Sequence, residues 1–378
     1  MNPPAANDAL AREKILVRGV NWLGDAVMSV PALQRLREAR PGARITLLAP
    51  EKLAGLWEGQ PFLDELMLVS PGDNLWQTAR RLRAEKFSAA AAFPNSLRSA
   101  LELWLAGIPR RAGYVRAWRT LFLTHPVPPR SGAVAMHRRS AGEIRRLIAR
   151  GESPPPVAPS AHHIHDYLRL VVALGASAEP LPPRITIRQE EAERTAARLG
   201  LPAASADRPV LGLNAGAEYG PAKRWPVESF IAAGIAIHQA TRCHWIIFGG
   251  PSDLQTAQHV SAGLVRHLAG QPVINLAGKT TLRELAGALK FCRLLLTNDS
   301  GPMHLAAAVG TPVVVPFGST SPEMTGPILS LAAQILRAPG IPCAPCFRRD
   351  CPIDFRCMRG IGSGAVVAAA LRALDFKS

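Results

Sequence analysis

Apolar and polar positions alternate along the chain in two similar series. Lys14 to Val20 is a β-branched run, and from Ala26 to Arg40 the apolar residues Val27, Val30, Leu33 and Leu36 fall at helical spacing. Arg44 to Ala49, Leu66 to Val69 and Ser88 to Phe93 repeat the strand signal, with a helix expected over Leu75 to Lys86. Arg116 to Pro129 reads as irregular, Gly132 to Ala149 as a basic loop leading into a helix, and His165 to Leu174 as a helix after the proline-rich Gly151 to Pro159. The segment Ala176 to Arg184 carries three prolines and reads as a linker. The second series has strands at Val210 to Asn214, His244 to Phe248, Val273 to Leu276, Arg293 to Thr297 and Pro312 to Phe317. Its helices are expected over Pro226 to Gln239, Leu282 to Phe291, Met303 to Val309 and Ser363 to Leu374. Such alternation predicts parallel sheets covered by helices, in two α/β halves.

The most informative stretch runs from Leu294 to Thr320. A short apolar strand is broken by Asn298-Asp299-Ser300-Gly301, residues that cap helices and tolerate tight turns. Pro302 suits a first helical turn, where its missing N–H costs nothing. Amides at Ser300 and Gly301, backed by the helix dipole, would form a cradle for a diphosphate. A capped turn of an ordinary β–α–β unit would carry the same residues.

Charge sharpens this picture. The 378 residues hold 44 Lys and Arg against 28 Asp and Glu, a net +16, so an anionic partner is expected. Between Arg98 and Arg150 eleven arginines stand against Glu102 and Glu143 alone. The N-terminal residues Met1 to Lys14 lack the apolar core of a signal peptide, and no segment has the roughly 18 uninterrupted apolar residues of a spanning helix. A cytoplasmic protein, at most peripheral to a membrane, is therefore expected. Cys243 and Cys292 sit in apolar surroundings. Cys343, Cys346, Cys351 and Cys357 cluster within fifteen residues, where they could wrap a zinc ion or, reduced, pin a loop.

At the level of motifs the chain resembles a known family. Asn21-Trp-Leu-Gly-Asp25 with the following Ala-Val-Met-Ser-Val-Pro-Ala-Leu33, together with Asn298-Asp-Ser-Gly-Pro-Met-His304, resembles the ADP-heptose:lipopolysaccharide heptosyltransferases of glycosyltransferase family 9. Lys223-Arg-Trp-Pro226 stands between the two motifs, and the likeness runs from about Ile15 to Leu374. The Asn-Trp-Leu-Gly-Asp form and the cysteine-rich tail look most like the family's heptosyltransferase II branch. The resemblance implies a GT-B fold, two Rossmann-like domains facing across a cleft. The expected bounds are 1–180 for an acceptor-binding domain, 181–360 for an ADP-heptose-binding domain and 361–378 for a closing helix.

It also implies inverting transfer of L-glycero-D-manno-heptose from an ADP-heptose donor to a lipid A-linked core acceptor, heptosyl-Kdo2-lipid A, at the anionic inner membrane. No cofactor and no catalytic metal are implied, and the sequence has no Asp-x-Asp motif of the metal-holding kind. By this resemblance Asp25 is the base that takes the acceptor hydroxyl's proton, unless it merely caps its helix, and Lys223 is the cation that meets the departing ADP. Asn21 and Gly24 would bind substrate; Gly24 and Trp22 would let a sugar or backbone approach closely, unless Trp22 simply packs. Ala215, Gly216 and Ala217 would offer amides to a phosphate or the sugar. Asp299 would meet the heptose or ribose, Ser300, Gly301 and His304 the diphosphate, and Asp253 and Thr280 the adenosine. Pro251 departs from the family pattern, which leaves Asp253 open.

Three rival readings remain. A dinucleotide oxidoreductase is disfavoured because the first turn reads Gly19-Val-Asn-Trp-Leu-Gly24 rather than Gly-x-Gly-x-x-Gly. A nucleic-acid partner is disfavoured because the arginine window has no aromatic ladder. A module that binds a nucleotide sugar without transferring it is separated only by turnover.

Overall fold

The computed structural model describes residues 13–375 apart from 152–154, 156, 204, 206, 207, 269–272, 328 and 331. The polar N-terminus to residue 12, part of the proline-rich stretch and residues 376–378 of the closing segment lie outside the described residues. The chain forms two compact units, residues 1–133 with 160–186, and residues 134–159 with 187–378.

The first unit is a parallel sheet of six strands: β1 Lys14–Arg18, β2 Arg44–Pro50, β3 Glu65–Val69, β4 Ala89–Ala92, β5 Arg110–Tyr114 and β6 His125–Val127. Their order is β3-β2-β1-β4-β5-β6, with Val17 beside Leu47 on one side and Ala91 on the other. Helices α1 Leu23–Ala39, α2 Leu75–Glu85, α3 Leu97–Leu105 and α5 Ile164–Val172 cover it, α1 lying against α5 and α2 against α3. Strand β4 is four consecutive alanines, all buried; its small side chains let helices approach the sheet on both faces.

The second unit repeats the plan with β7 Val210–Asn214, β8 His244–Ile247, β9 Val273–Asn275, β10 Leu294–Thr297, β11 Val313–Phe317 and β12 Ala333–Arg337. The order is β12-β11-β10-β7-β8-β9, all parallel. Counted from its own first strand, each sheet therefore runs 3-2-1-4-5-6, the order of a dinucleotide-type α/β fold. Its helices are α4 Ala141–Arg150, α6 Gln189–Arg198, α7 Val227–Thr241, α8 Leu254–His267, α9 Leu282–Phe291, α10 Gly301–Ala308 and α11 Ser363–Asp375. Trp225, Phe230 and Trp245 anchor the core, and both indoles find an acceptor: Trp225 Nε1 donates to Ile361 O at 3.0 Å and Trp245 Nε1 to Gly234 O at 3.2 Å.

Several boundaries differ from the sequence reading. The break between series falls at 186–187 rather than 180. Residues 134–159 belong to the second unit, because Ile144 of α4 buries itself against Cys343 and Cys346. The arginine window is thus divided, six of its arginines in the first unit and five in the second. Arg119 is not a surface cation at all; it is 1% exposed. The closing helix is no separate piece: α11 packs on α7 and on the strands of the second sheet. The stretch 116–129, expected to be irregular, holds a 3-10 turn at Arg119–Phe122 and strand β6.

Candidate functional site

In parallel α/β sheets ligands gather beyond the carboxyl ends of the strands where the order reverses. In the first unit that point lies between β1 and β4. Arg18, at the end of β1, is buried with Glu102, Nε to Oε2 at 2.9 Å, and donates to Gly19 O at 2.8 Å. This pair fixes the turn that leads into α1. Asn21 and Trp22 of the turn are exposed, Gly24 and Asp25 half-buried. Trp22 occupies the cap position without capping by its side chain, and Lys52 Nζ sits 5.0 Å over its ring. Asp25, in the first turn of α1, accepts a hydrogen bond from Tyr167 Oη at 3.2 Å. Tyr167 is buried, and its pKa is raised first by that burial and then by the Asp25 charge. Proton loss from this phenol is thereby opposed, so it serves as a fixed donor to the carboxylate. Tyr167 carries no local sequence signal; it comes to Asp25 only through the packing of α5 on α1.

In the second unit the reversal lies between β7 and β10, where the longest motif of the sequence stands. Asn298 is fully buried and stitches the surrounding loops, its Oδ1 accepting from Trp225 N at 2.9 Å and its Nδ2 donating to Ala215 O at 2.8 Å. Asn214 Nδ2 donates to Thr297 Oγ1 at 3.1 Å and Ser300 Oγ at 3.2 Å. Helix α10 then begins at Gly301 with Pro302 in its first turn and no side-chain cap on its amides. Ser300 and Gly301 are only half-buried, so their two amides remain open to an anion, and Pro302 has no N–H to leave unmet.

Beside them Asp299, 3% exposed, accepts from Thr320 Oγ1 at 2.5 Å and from Lys223 Nζ at 2.6 Å, both on Oδ2. Lys223 also lies over the Tyr219 ring at 4.9 Å. The lysine is thus held at the helix mouth by a carboxylate and a ring face. His304, one turn on, is buried, and burial before any other cause lowers its pKa to about 4, with Lys223 opposing and Asp299 favouring its charge. It is a neutral imidazole near pH 7. Ala215, Gly216 and Ala217 are all buried. Gly216 is obligatory there, because a Cβ would stand 2.3 Å from the Asp253 carboxyl.

Asp253 is itself buried, with Oδ2 accepting from Gly250 N at 3.1 Å, Oδ1 lacking a hydrogen bond and Arg224 Nη2 3.7 Å from that oxygen. Thr280 is half-buried in the loop after β9, and that loop joins the one carrying Asp253 through Gly278 N to Gly249 O at 2.9 Å. Of the expected residues, Lys223, Asp299, Ser300, Gly301 and His304 therefore surround one helix mouth. Asp253 and Thr280 lie on two adjoining loops next to it in sheet order. Thr320, Tyr219, Asn214 and Asn298 complete this construction and were given no role by the sequence, although Asn298 and Thr320 stand within the motif stretch.

The cysteine-rich tail braces the site. Tyr219 Oη donates to Phe347 O at 2.7 Å and Ala222 N to Arg349 O at 2.9 Å, so the tail backs the loop that carries Lys223. Cys343, Cys346 and Cys357 are buried, and burial raises the pKa of each, Cys357 to about 12. Among the described residues no group of three or more His, Cys, Asp or Glu could hold a metal ion. Cys343 and Cys346 pack against Ile144 of α4, and Cys357 joins the core of the second unit.

Comparisons with known proteins place the chain. A profile of glycosyltransferase family 9 (heptosyltransferase) matches residues 135–355. Lipooligosaccharide heptosyltransferase 2 of Haemophilus influenzae is 30% identical over 337 residues, covering 85% of this chain and 88% of that protein. Lipopolysaccharide heptosyltransferase 2 of Escherichia coli is 29% identical over 344 residues, covering 86% and 88%. The solved structure of the E. coli ADP-heptose lipopolysaccharide heptosyltransferase II superposes with a TM-score of 0.73 at 27% identity, over 96% of this chain and 98% of that one. The fold is accordingly of the GT-B type. With a family profile over more than half its length and relatives alike nearly end to end, the chain belongs to glycosyltransferase family 9, the heptosyltransferases.

Proposed function

We propose that this glycosyltransferase moves L-glycero-D-manno-heptose from ADP-heptose to heptosyl-Kdo2-lipid A, the heptosyltransferase II step of lipopolysaccharide inner-core assembly. The names of its relatives support the donor and the acceptor class. The observation that carries the donor half is the Lys223–Asp299–Thr320 cluster at the uncapped mouth of α10. A diphosphate there meets open amides, the positive helix end and a lysine, which together offset the charge that grows on ADP as the anomeric C–O bond breaks. Asp299, bonded to Thr320, positions Lys223 toward the phosphates and accepts a hydrogen bond from a hydroxyl of the donor sugar.

Asp25 takes the proton of the acceptor hydroxyl as its oxygen attacks the anomeric carbon from the face opposite the diphosphate. The bond to ADP breaks with its electron pair, and the configuration inverts. Tyr167 holds the carboxylate for this. The lipid acceptor places the reaction at the cytoplasmic face of the inner membrane, which the protein meets peripherally; among the described residues no helix is long and apolar enough to cross a membrane. Kdo2-lipid A in place of heptosyl-Kdo2-lipid A, as for another member of the family, is the alternative acceptor.

A pair of variants tests the division of labour. Asp25→Ala lowers kcat roughly 10²–10⁴-fold and leaves ADP affinity by calorimetry unchanged. Lys223→Ala weakens ADP binding and slows turnover together. An Asp25→Ala enzyme retaining more than about a tenth of wild-type turnover would sink the base assignment.

A further inference from the structure

The face of the first unit formed by α2, α3 and the 3-10 turn Arg119–Phe122 carries a surface that the transfer chemistry does not use. Trp118 is 79% exposed, Leu121 75% and Trp76 69%. Trp104, also exposed, meets Phe122 edge-on at 5.3 Å, which joins the turn to α3. Trp76 and Trp104 line one open groove of about 270 Å³ together with Arg80 and Arg83.

The turn is held by two separate devices. Arg119 N donates to Ala117 O at 2.7 Å, closing a three-residue γ-turn around Trp118 at φ 61° and ψ −35°. That backbone is strained for any L-residue and more so for a bulky one. Behind it the buried Arg119 donates to Tyr114 O at 2.8 Å and Pro94 O at 2.9 Å. It fits only because residue 113 is glycine; a Cβ there would stand 2.8 Å from the guanidinium. A strained backbone and a buried cation thus present two large apolar side chains to water, which does nothing for the free chain's stability.

The surrounding charge has one sign. From Asp73 to Arg130 ten Lys and Arg stand against three acids. Those acids are already paired: Asp73 with Arg81, Glu85 with Lys14, and Glu102 with Arg18 and Arg98. Arg80, Arg83 and Arg116 are exposed, with no acidic partner among the described residues. Indoles beside guanidiniums, with the local acids already paired, suit an anionic bilayer interface, where the rings sit at headgroup level and the cations meet lipid phosphates.

We propose that this face, through Trp76, Trp104, Trp118 and Leu121 with the cations beside them, docks the protein on an anionic phospholipid surface. The proposal rests on the lipid-acceptor reading for its purpose only; docking needs neither donor nor acceptor. The full chain is sedimented with vesicles of phosphatidylcholine alone or mixed with phosphatidylglycerol, and tryptophan emission is recorded. Wild type binds the anionic vesicles with a blue shift, and the double variant Trp118→Gly/Leu121→Ser partitions at least about tenfold less.

Trp118→Gly alone keeps the fold and raises Tm, since glycine takes the positive φ without strain; weaker binding by a more stable protein cannot be misfolding. Arg80→Gln/Arg83→Gln/Arg116→Gln lowers binding at low salt and flattens its salt dependence. Wild-type partitioning by the double variant, no binding by the wild type, or a wild-type dimer that the double variant dissolves would each overturn the proposal. Transfer to a delipidated, water-soluble acceptor should be the same in wild type and variants. Its absence in the wild type would count against the heptosyl-transfer reading and leave docking untouched.

Discussion

At the scale of single residues the proposed donor site depends on where protons and charges are kept. His304 has its pKa lowered from 6.5 to about 4, chiefly by burial. Between those values the unfolded chain binds a proton that the native state refuses. Stability from this group is therefore full above about pH 6.5 and is lost as pH falls toward 4, up to roughly 3 kcal/mol. Burial lowers the pKa of His163, His165 and His244 as well, so they share the slope. His304→Gln should lose less Tm than wild type between pH 7 and 5. An unchanged slope would mean that the imidazole is solvated or charged in the native state. Near pH 7 the neutral ring adds no charge beside Lys223, which in the proposed donor site leaves the lysine to meet the diphosphate.

At the scale of elements, most of the sheet was legible, because fully buried parallel strands read as apolar runs; Val210–Asn214 and the helix Leu282–Phe291 match their predicted bounds. Strand β5, Arg110–Tyr114, was missed because Arg110, Arg111 and Gly113 hide it, and Gly113 is there to admit Arg119. The helix Leu254–His267 was missed because it opens directly from a 3-10 turn at Pro251–Asp253, which blurs its start. The site divides the same way. Asp25, Lys223 and Asp299 stand in motifs, whereas Tyr167 reaches Asp25 across 142 residues of sequence and left no local mark.

Helix α4 shows how far a basic segment can mislead. Its cations suggested one uniform positive surface, yet a single buried Ile144 among Cys343, Cys346 and Ile148 assigns it to the second unit. Large-to-small changes at buried Ile cost about 2–5 kcal/mol. Ile144→Ala should therefore undock α4 and speed tryptic cleavage at Arg145 and Arg146 several-fold, with the core transition little changed. Cleavage at the wild-type rate would show that other contacts hold the helix.

At the scale of the whole molecule a net charge of +16 fits an enzyme whose acceptor is an anionic lipid-linked sugar. Arg138, Arg145 and Arg146 are exposed, whereas Arg139 is half-buried and its backbone N–H donates to Cys346 O at 3.1 Å. The first three are the cations to neutralise, and Arg139 is better left in place. Acceptor KM should rise with salt between low and physiological ionic strength, while donor KM, set by short contacts such as that of Lys223, changes much less. Replacing the three arginines with glutamine should reproduce the high-salt KM in low salt; a flat acceptor KM would make them a solvated face only. The most direct measurement offers purified protein and ADP-heptose equal amounts of Kdo2-lipid A and heptosyl-Kdo2-lipid A and follows both by mass spectrometry. Heptosyl-Kdo2-lipid A should gain one heptose with matching release of ADP while Kdo2-lipid A stays as it was. Conversion of Kdo2-lipid A first, or of neither acceptor by protein that binds ADP, would contradict it.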